Sequence, residues 1–246
     1  MIPTTRKEID ALGWDAPDVI IFSGDAFIDH PAFGTAVISR TLESAGYKVA
    51  VVPQPNWRDD LRDFKKLGAP KLFFGVNSGA MDSMVNHYTA SKRLRSNDAY
   101  TPEGRAGYRP DYAVTVYSNI LKQLFPDVPL VIGGIEASLR RLTHYDYWQD
   151  CLKPSVLIDS KADWLVYGMG ERPIVALADA IAAGASAEEI RMIPQIGYVA
   201  YNASDGDYCD LHSFESCCKN KIAFAQNFNV IEREANRLEA MTLVEQ

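Results

Sequence analysis

A doubly wound α/β domain on a five-stranded parallel sheet is the fold class this sequence predicts, with a long polar insertion and a C-terminal helical extension. Three observations lead there. Five short apolar runs rich in Val, Ile and Phe recur along the chain, without the clean alternation of half-exposed strands, as expected for strands covered on both faces. Amphipathic helical stretches separate them, and that alternation gives a parallel sheet with right-handed crossovers. Of the 246 residues, 47% are hydrophobic, enough for one large buried core.

The elements follow in order. "DVIIFSG" from residue 18 is the first strand, and "TAVISRTLESAG" (35–46) is a helix with Val37, Ile38, Leu42 and Ala45 on one face and Gly46 as its stop. "KVAVVP" from 48 is the second strand, and "DDLRDFKKLG" (59–68) a helix carrying Leu61, Phe64 and Leu67. "KLFFGV" from 71 is the third strand. Residues 86–111 then form a long polar insertion, a length that in a compact domain marks a functional or disordered segment. "AVTVYSNILKQLF" (113–125) is amphipathic and stops at Pro126. "PLVIGG" from 129 is the fourth strand, followed by a helix over 136–148; "DWLVYG" from 163 is the fifth. "RPIVALADAIAAG" (172–184) opens with an early proline and closes on Gly184. Residues 221–246 read as one long helix with Phe224, Phe228, Ile231, Ala235, Leu238 and Met241 on a stripe, leading onward or docking back on the sheet.

A net charge of −7 argues against a nucleic-acid coat protein. No apolar run reaches the roughly 18 residues that span a bilayer, and the N-terminus carries no apolar leader, so a cytoplasmic protein without a membrane partner is expected. Cys151, Cys209, Cys217 and Cys218 form no CxxC pair, and the four histidines are scattered, so no metal held by this chain is expected.

In an open parallel sheet, ligands bind at the carboxyl ends of the strands. The loops leaving them here, "SGDAFIDHPAFG", "PQPNW", "VNSGAMD", "GGIEAS" and "YGMGE", hold nearly every unusual residue, and a common crevice is expected to include His30, Gly134 and Gly168. In the first loop Asp25, Asp29 and His30 stand close together, with Gly34 opening the helix. An Asp–His pair can do acid–base work, and it can equally serve as a helix-entry turn. After Gly133 and Gly134, a helix spaces Glu136, Arg140 and His144 four apart, with Arg141 beside them and Leu139 and Leu142 pointing to the core. Two readings stay open for that face with its Tyr147: a seat for an anionic ligand or partner domain, or a surface salt-bridge helix with aromatic plugs. Gly168, Gly170 and Glu171 make a tight strand-to-helix turn, and a lone GxG is weak evidence for phosphate. The insertion interleaves Lys92, Arg93, Arg95, Arg105 and Arg109 with Tyr88, Tyr100 and Tyr108, a pattern seen in RNA binders. Asp98, Glu103 and Asp111 dilute it, so a solvated or interdomain loop is expected and nucleic acid is not.

Taken together, "GDAFIDHPAFGTAVISRTLESAGYKVAVVPQPNW", "RSNDAYTPEG", "RPDYAVTVYSN", "IGGIEASLRRLTHYDYW" and "LVYGMGE" resemble the N-terminal region of the YgiQ-type radical SAM proteins, from about residue 14 to at least 200. Within that superfamily the region is similar to the cobalamin-binding-like domain that precedes a radical SAM barrel. The resemblance implies a 4Fe–4S cluster held by CxxxCxxC, S-adenosylmethionine, and an unassigned radical reaction on a small-molecule substrate. No cysteine here has that spacing; in the family it lies downstream. The chain is therefore read as an accessory domain (1–200) with a helical extension (201–246) leading toward a downstream radical SAM domain of the same polypeptide, contributing to its substrate seat or lid. Neither cluster nor S-adenosylmethionine is expected to bind this chain alone. "DHPAFG" departs from the DxHxxG signature of base-off cobalamin binding, since His30 directly follows Asp29 and Gly34 lies four residues beyond His30; ligation by His30 is not expected. The alternative is a stand-alone α/β module for a small anionic or nucleotide-like ligand. No catalytic residue is expected here. The expected ligand or interdomain contacts are Asp29, His30, Gly34, Gly133, Gly134, Glu136, Arg140, Arg141, His144, Tyr147, Gly168, Gly170 and Glu171.

Overall fold

The computed structural model describes residues 1–201 and 207–246. All five expected strands form: β1 (Val19–Ser23), β2 (Val49–Pro53), β3 (Phe73–Asn77), β4 (Leu130–Ile132) and, after a two-stranded hairpin, β7 (Trp164–Val166). They pair in parallel in the order β2-β1-β3-β4-β7, the doubly wound order of flavodoxin-like folds. A sixth strand, β8 (Ile196–Gly197), adds antiparallel to β7, so the sheet is mainly parallel. Two residues are too short a run to show any periodicity, which is why the sequence hid this edge.

Residues alternate between two cores. Ile20, Phe22, Ala50, Val52, Phe74 and Ile132 face one side, and Val19, Ile21, Val49, Val51, Phe73 and Val131 the other. The helices, in chain order, are α1 (Arg6–Ala11), α2 (Gly34–Ser44), α3 (Arg62–Lys65), α4 (Ser83–His87), α5 (Ala113–Leu124), α6 (Gly134–Leu139), α7 (Val156–Ser160), α8 (Glu171–Ala182) and α9 (Ala187–Arg191). Phe64, Tyr117 and Leu121, from α3 and α5, cover the first core, while Leu42, Ile174 and Leu177, from α2 and α8, cover the second. The chain leaves β1 toward one face and β3 toward the other, so the switch point lies between their carboxyl ends.

Three expectations change. The helix over 136–148 is a six-residue α6 followed by an antiparallel hairpin of β5 (His144–Asp146) and β6 (Cys151–Lys153). The i,i+4 ladder from Glu136 to His144 therefore does not exist, and Leu139, expected in the core, is 60% exposed. The helix over 221–246 ends early: α10 (Phe214–Lys219) and α11 (Lys221–Ala235) precede a strand, β10 (Thr242–Glu245), that pairs in parallel with β9 (Tyr208–Leu211). The buried stripe of α11 is Ala223, Asn227 and Glu234, while Phe228 is exposed. Asn227 bonds both backbone groups of His212, and the Glu245 carboxylate accepts from Thr143 N, so this unit docks back beside the hairpin. Residues 202–206 of the proposed extension lie outside the described residues. The insertion, third, is ordered by bridges between Tyr88 and Leu94 and between Asn97 and Arg105, and it buries Asp98 and Arg109. Among the described residues no helix is long and apolar enough to cross a membrane.

Candidate functional site

At the switch point β1 runs out into Ser23-Gly24-Asp25 and β3 into Asn77-Ser78-Gly79. The two crossings touch so closely that a Cβ on Gly24 would lie 2.2 Å from the Ser78 carbonyl oxygen, and one on Gly79 2.0 Å from Asp25 Oδ1. Gly79 also sits at φ +103°, a conformation that side chains rarely adopt. Arg109, brought back by the insertion and only 1% exposed, reaches Asp25 at 2.7 Å and Asp98 at 3.1 Å and donates to the Ser78 carbonyl at 2.5 Å. Ala26 N donates to Tyr100 O, and Gln54 Nε2 to Thr101 Oγ1. Burial pushes the Asp25 carboxyl up from its usual range, and Arg109 pulls against that shift.

The crevice where such a fold takes its ligand is thus filled by the chain's own arginine. The Arg109 bridge and the two glycine crossings occupy the space between the two loops. His30 lies exposed on the rim, its Nδ1 accepting from Ala32 N and its ring edge-on to Phe33. Asp29 is engaged by Arg40 of α2, which draws its carboxyl below the ordinary value through that hydrogen bond. A half-open cleft of about 310 Å³ remains beside the plug, between Phe27, Pro53, Gln54 and the insertion's Pro102, Glu103, Arg105 and Tyr108.

The second cluster surrounds α6. Gly133 and Gly134 let β4 turn against its neighbours: a Cβ on Gly133 would meet Val166 O at 3.2 Å, and Gly134 sits at φ +78°. Glu136 is 1% exposed, and its two carboxylate oxygens accept from Ser83 N at 2.8 Å and Val114 N at 2.9 Å, stapling the starts of α4 and α5. Burial raises its carboxyl above the usual range. Arg140 is also buried, ion-paired with Asp82, whose other oxygen caps α4 at Met84 N and Val85 N. Burial lowers the Arg140 guanidinium from its ordinary value. His144, Arg140, Tyr112, Lys153 and Asp159 line a cavity of about 150 Å³. Burial pulls the His144 imidazole down to about 4, so it is neutral at physiological pH.

The structure thus brings Arg140 and His144 together, with Glu136 beneath them on α6. Arg141 stands outside, its guanidinium over the Tyr167 ring and donating to Ser138 O. Tyr147 is half-exposed, with its hydroxyl donating to Ala90 O. Gly168 joins the α6 side through a bond from its N–H to Ser138 Oγ, and Gly170 and Glu171 begin α8. Gly34 opens α2 in free space. Neither cavity is lined by His30, Gly134 or Gly168. Sequence reasoning weighed Asp25 only for acid–base work or helix entry, counted Asp98, Arg109 and Asp111 only as insertion charges, and passed over Asp82, Tyr112 and Lys153. Nothing in their spacing marks them, because their partners lie 11 to 84 residues away. Among the described residues no three His, Cys, Asp or Glu side chains are placed to hold a metal ion, and Cys151, Cys209, Cys217 and Cys218 are free thiols.

Fold and site together define a flavodoxin-order α/β domain whose ligand crevice is closed by its own insertion. The profile described as "Radical SAM N-terminal" matches residues 1–246, and the chain belongs to that family. The YgiQ-type resemblance read from the motifs therefore stands. The chain is 58% identical over 243 residues to a UPF0313 protein of Porphyromonas gingivalis, covering 97% of this chain and 38% of that protein. It is 55% identical over 260 residues to a UPF0313 protein of Bacteroides thetaiotaomicron, covering 100% and 42%. The chain thus spans about two fifths of these relatives' length. Among solved structures, the radical S-adenosylmethionine methyltransferase TsrM from Kitasatospora setae, with cobalamin and a 4Fe-4S cluster bound, aligns with a TM-score of 0.47 at 20% identity, covering 74% of this chain and 28% of that one.

Proposed function

We propose that this chain is the accessory domain of a longer radical SAM enzyme. Its carboxyl edge packs against the downstream catalytic domain of the same polypeptide and walls or lids the seat of a small-molecule substrate. The cluster and S-adenosylmethionine belong to that downstream domain, where the cofactor carries the radical chemistry. The unit from residue 201 onward leads toward it, and the whole enzyme works in the cytoplasm.

The observation that carries this reading is a rim of exposed apolar side chains on the loops and helices leaving the strands. Ile28 is 50%, Ile135 44%, Leu139 60% and Met169 75% exposed. Ile135 and Leu139 are i,i+4 on α6, and the bond from Gly168 to Ser138 sets Met169 beside them. Clustered apolar exposure of this kind marks an interaction surface. On this reading the contacts at that face are Asp29, His30, Gly34, Arg141, Tyr147, Gly168, Gly170 and Glu171, with Gly133, Gly134, Glu136, Arg140 and His144 supporting them.

Hydrogen exchange on the longer polypeptide and on the 246-residue chain tests this. Residues 135–139 and 168–171 are expected to be protected only in the longer protein, and anaerobic reconstitution is expected to load a cluster only there. Equal exchange in both would end the packing proposal, and a cluster on the short chain would end the division of labour.

A further inference from the structure

We infer that the C-terminal unit is an open layer: the polypeptide beyond residue 246 adds a parallel strand to the free edge of β10, and the helix leading to that strand covers the outer face of α11. This rests on the reading above that a downstream part follows in the same polypeptide, as the relatives of which this chain spans 38% and 42% suggest by their length. The surface is a different one from the rim at the carboxyl edge.

Two independent observations point there. The first is the small sheet. β9 and β10 pair in parallel over four residues each, and with no other strand. Among the described residues neither strand makes a backbone hydrogen bond to any third segment. A parallel pair is slightly weaker per residue than an antiparallel one, and even an antiparallel pair is marginal in water without a third strand or more packing. A free parallel edge of this kind is a template for another strand.

The second is α11, whose polarity is turned inside out. Its buried side carries Ala223, Asn227 and Glu234. At about 100° per residue, Ile222, Ala225 and Phe228 fall on the opposite side. All three are exposed there, Ile222 at 67% and Phe228 at 57%. A helix that buries an amide and a carboxylate while holding Ile and Phe in water is laid out for a second cover.

Connection rules tie the two together. Consecutive elements usually neighbour one another, so the next strand lies beside β10. A parallel strand is reached by a crossover of about a dozen residues or more, usually helical. Right-handed crossovers that advance in one direction place successive helices on the same face of a sheet. The next helix therefore packs on the side of α10 and α11, against Ile222, Ala225 and Phe228. Glu245, which accepts from Thr143 N, already anchors β10 beside the β5–β6 hairpin, so the added strand has a fixed place relative to the rest of the domain.

Hydrogen exchange and a double variant, on the longer polypeptide and on the 246-residue chain, test this. Amides of Thr242–Glu245 are expected to exchange at least about tenfold more slowly in the longer protein. Ile222→Asp with Phe228→Asp should leave the melting midpoint of the 246-residue chain unchanged, because both side chains are exposed in it. The same pair should lower the midpoint of the longer protein and remove the added protection of β10. Equal exchange of β10 in both proteins overturns the inference, even where residues 135–139 and 168–171 are protected and the rim proposal stands. Protection of β10 with an unprotected rim sustains this inference and ends that proposal. Protection that appears in the 246-residue chain alone as its concentration rises makes a second copy the occupant, and overturns it. So does a double variant that is silent in the longer protein, or one that already destabilises the short chain.

Discussion

Arg109→Ala is the most searching perturbation of this domain. The native side chain, 1% exposed, is the shared partner of Asp25 and Asp98 and a donor to the Ser78 carbonyl. Its removal leaves two carboxylates, each under 5% exposed, facing each other in a closed space. Removing one partner of a buried ion pair costs about 3–5 kcal/mol, a large part of the 5–15 kcal/mol that holds typical domains folded. The penalty has a pH signature. Burial already raises Asp25 in the folded state, and losing the arginine raises it further. A group whose folded pKa exceeds its unfolded value contributes stability below the unfolded value and loses it as pH rises through the folded value. The deficit of the variant should therefore be greatest near neutrality and shrink as the solution is acidified toward the ordinary Asp range. Urea melts at pH 7 and pH 5 measure this. Arg109→Lys, which keeps the charge but loses the fork, should cost less, about 1–3 kcal/mol, and gives a folded reference if the alanine variant does not fold. Trypsin should also cut the insertion faster in both variants, at Lys92, Arg93, Arg95 or Arg105. A loss below about 1 kcal/mol in Arg109→Ala, or one independent of pH, would refute the latch.

Neighbouring arginines should behave differently: Arg140→Ala strands Asp82 and should lose about 3–5 kcal/mol in denaturant. Arg141→Ala, at a part-exposed site, should stay within about half a kcal/mol, and equal losses would show the burial to be misplaced. Glu136→Ala orphans Ser83 N and Val114 N, for about 2–5 kcal/mol in a thermal or urea melt. His144 is protonated in the unfolded chain but not in the folded one between pH 6.5 and about 4. Its contribution to stability is therefore present above that window and lost through it on acidification, by at most about 3 kcal/mol. The difference between wild type and His144→Gln isolates this, and an imidazole titrating near 6.5 by NMR would contradict it. Gly79→Ala should prevent folding or cost several kcal/mol, about 3 or more, because the new Cβ meets Asp25 at φ +103°. Gly34→Ala, in open space at a helix start, should be neutral or gain up to about 1 kcal/mol in the same melt.

The parallel strands were legible because burial on both faces writes itself as continuous Val, Ile and Phe. The hairpin at 144–153 was not, since Arg140, Arg141, His144, Tyr145 and Tyr147 carry no apolar period that separates helix from strand. The same limit acted at the tail. Phe224, Phe228 and Ile231 suggested a stripe, but the buried face is polar, with Asn227 serving His212 and Glu234 accepting from Met241 N. Where a buried contact is a hydrogen bond rather than a methyl group, hydrophobic periodicity points to the wrong face.

The site shows the deeper form of this limit. Loops at the carboxyl edge were recognised as unusual because they concentrate Gly, Asp, Glu and Arg, and those residues were expected to face outward to a ligand. Several face inward. Asp25, Asp82, Asp98, Arg109 and Arg140 pair with one another beneath the surface, and Glu136 accepts there from Ser83 N and Val114 N, since a charge can be buried only when paired and hydrogen-bonded. The Arg109–Asp25 and Arg140–Asp82 pairs join segments that leave different strands, so together they fix the relative positions of the segments after β1, β3 and β4, which backbone pairing leaves free. Exposed Ile135, Leu139 and Met169 are then the outer face of that clamp. On this reading, a substitution in the clamp acts on any partner through the position of α6 and the hairpin, while one on the rim acts by removing contact. The two kinds separate in a single pair of measurements, because clamp variants change the stability of the isolated domain and rim variants do not.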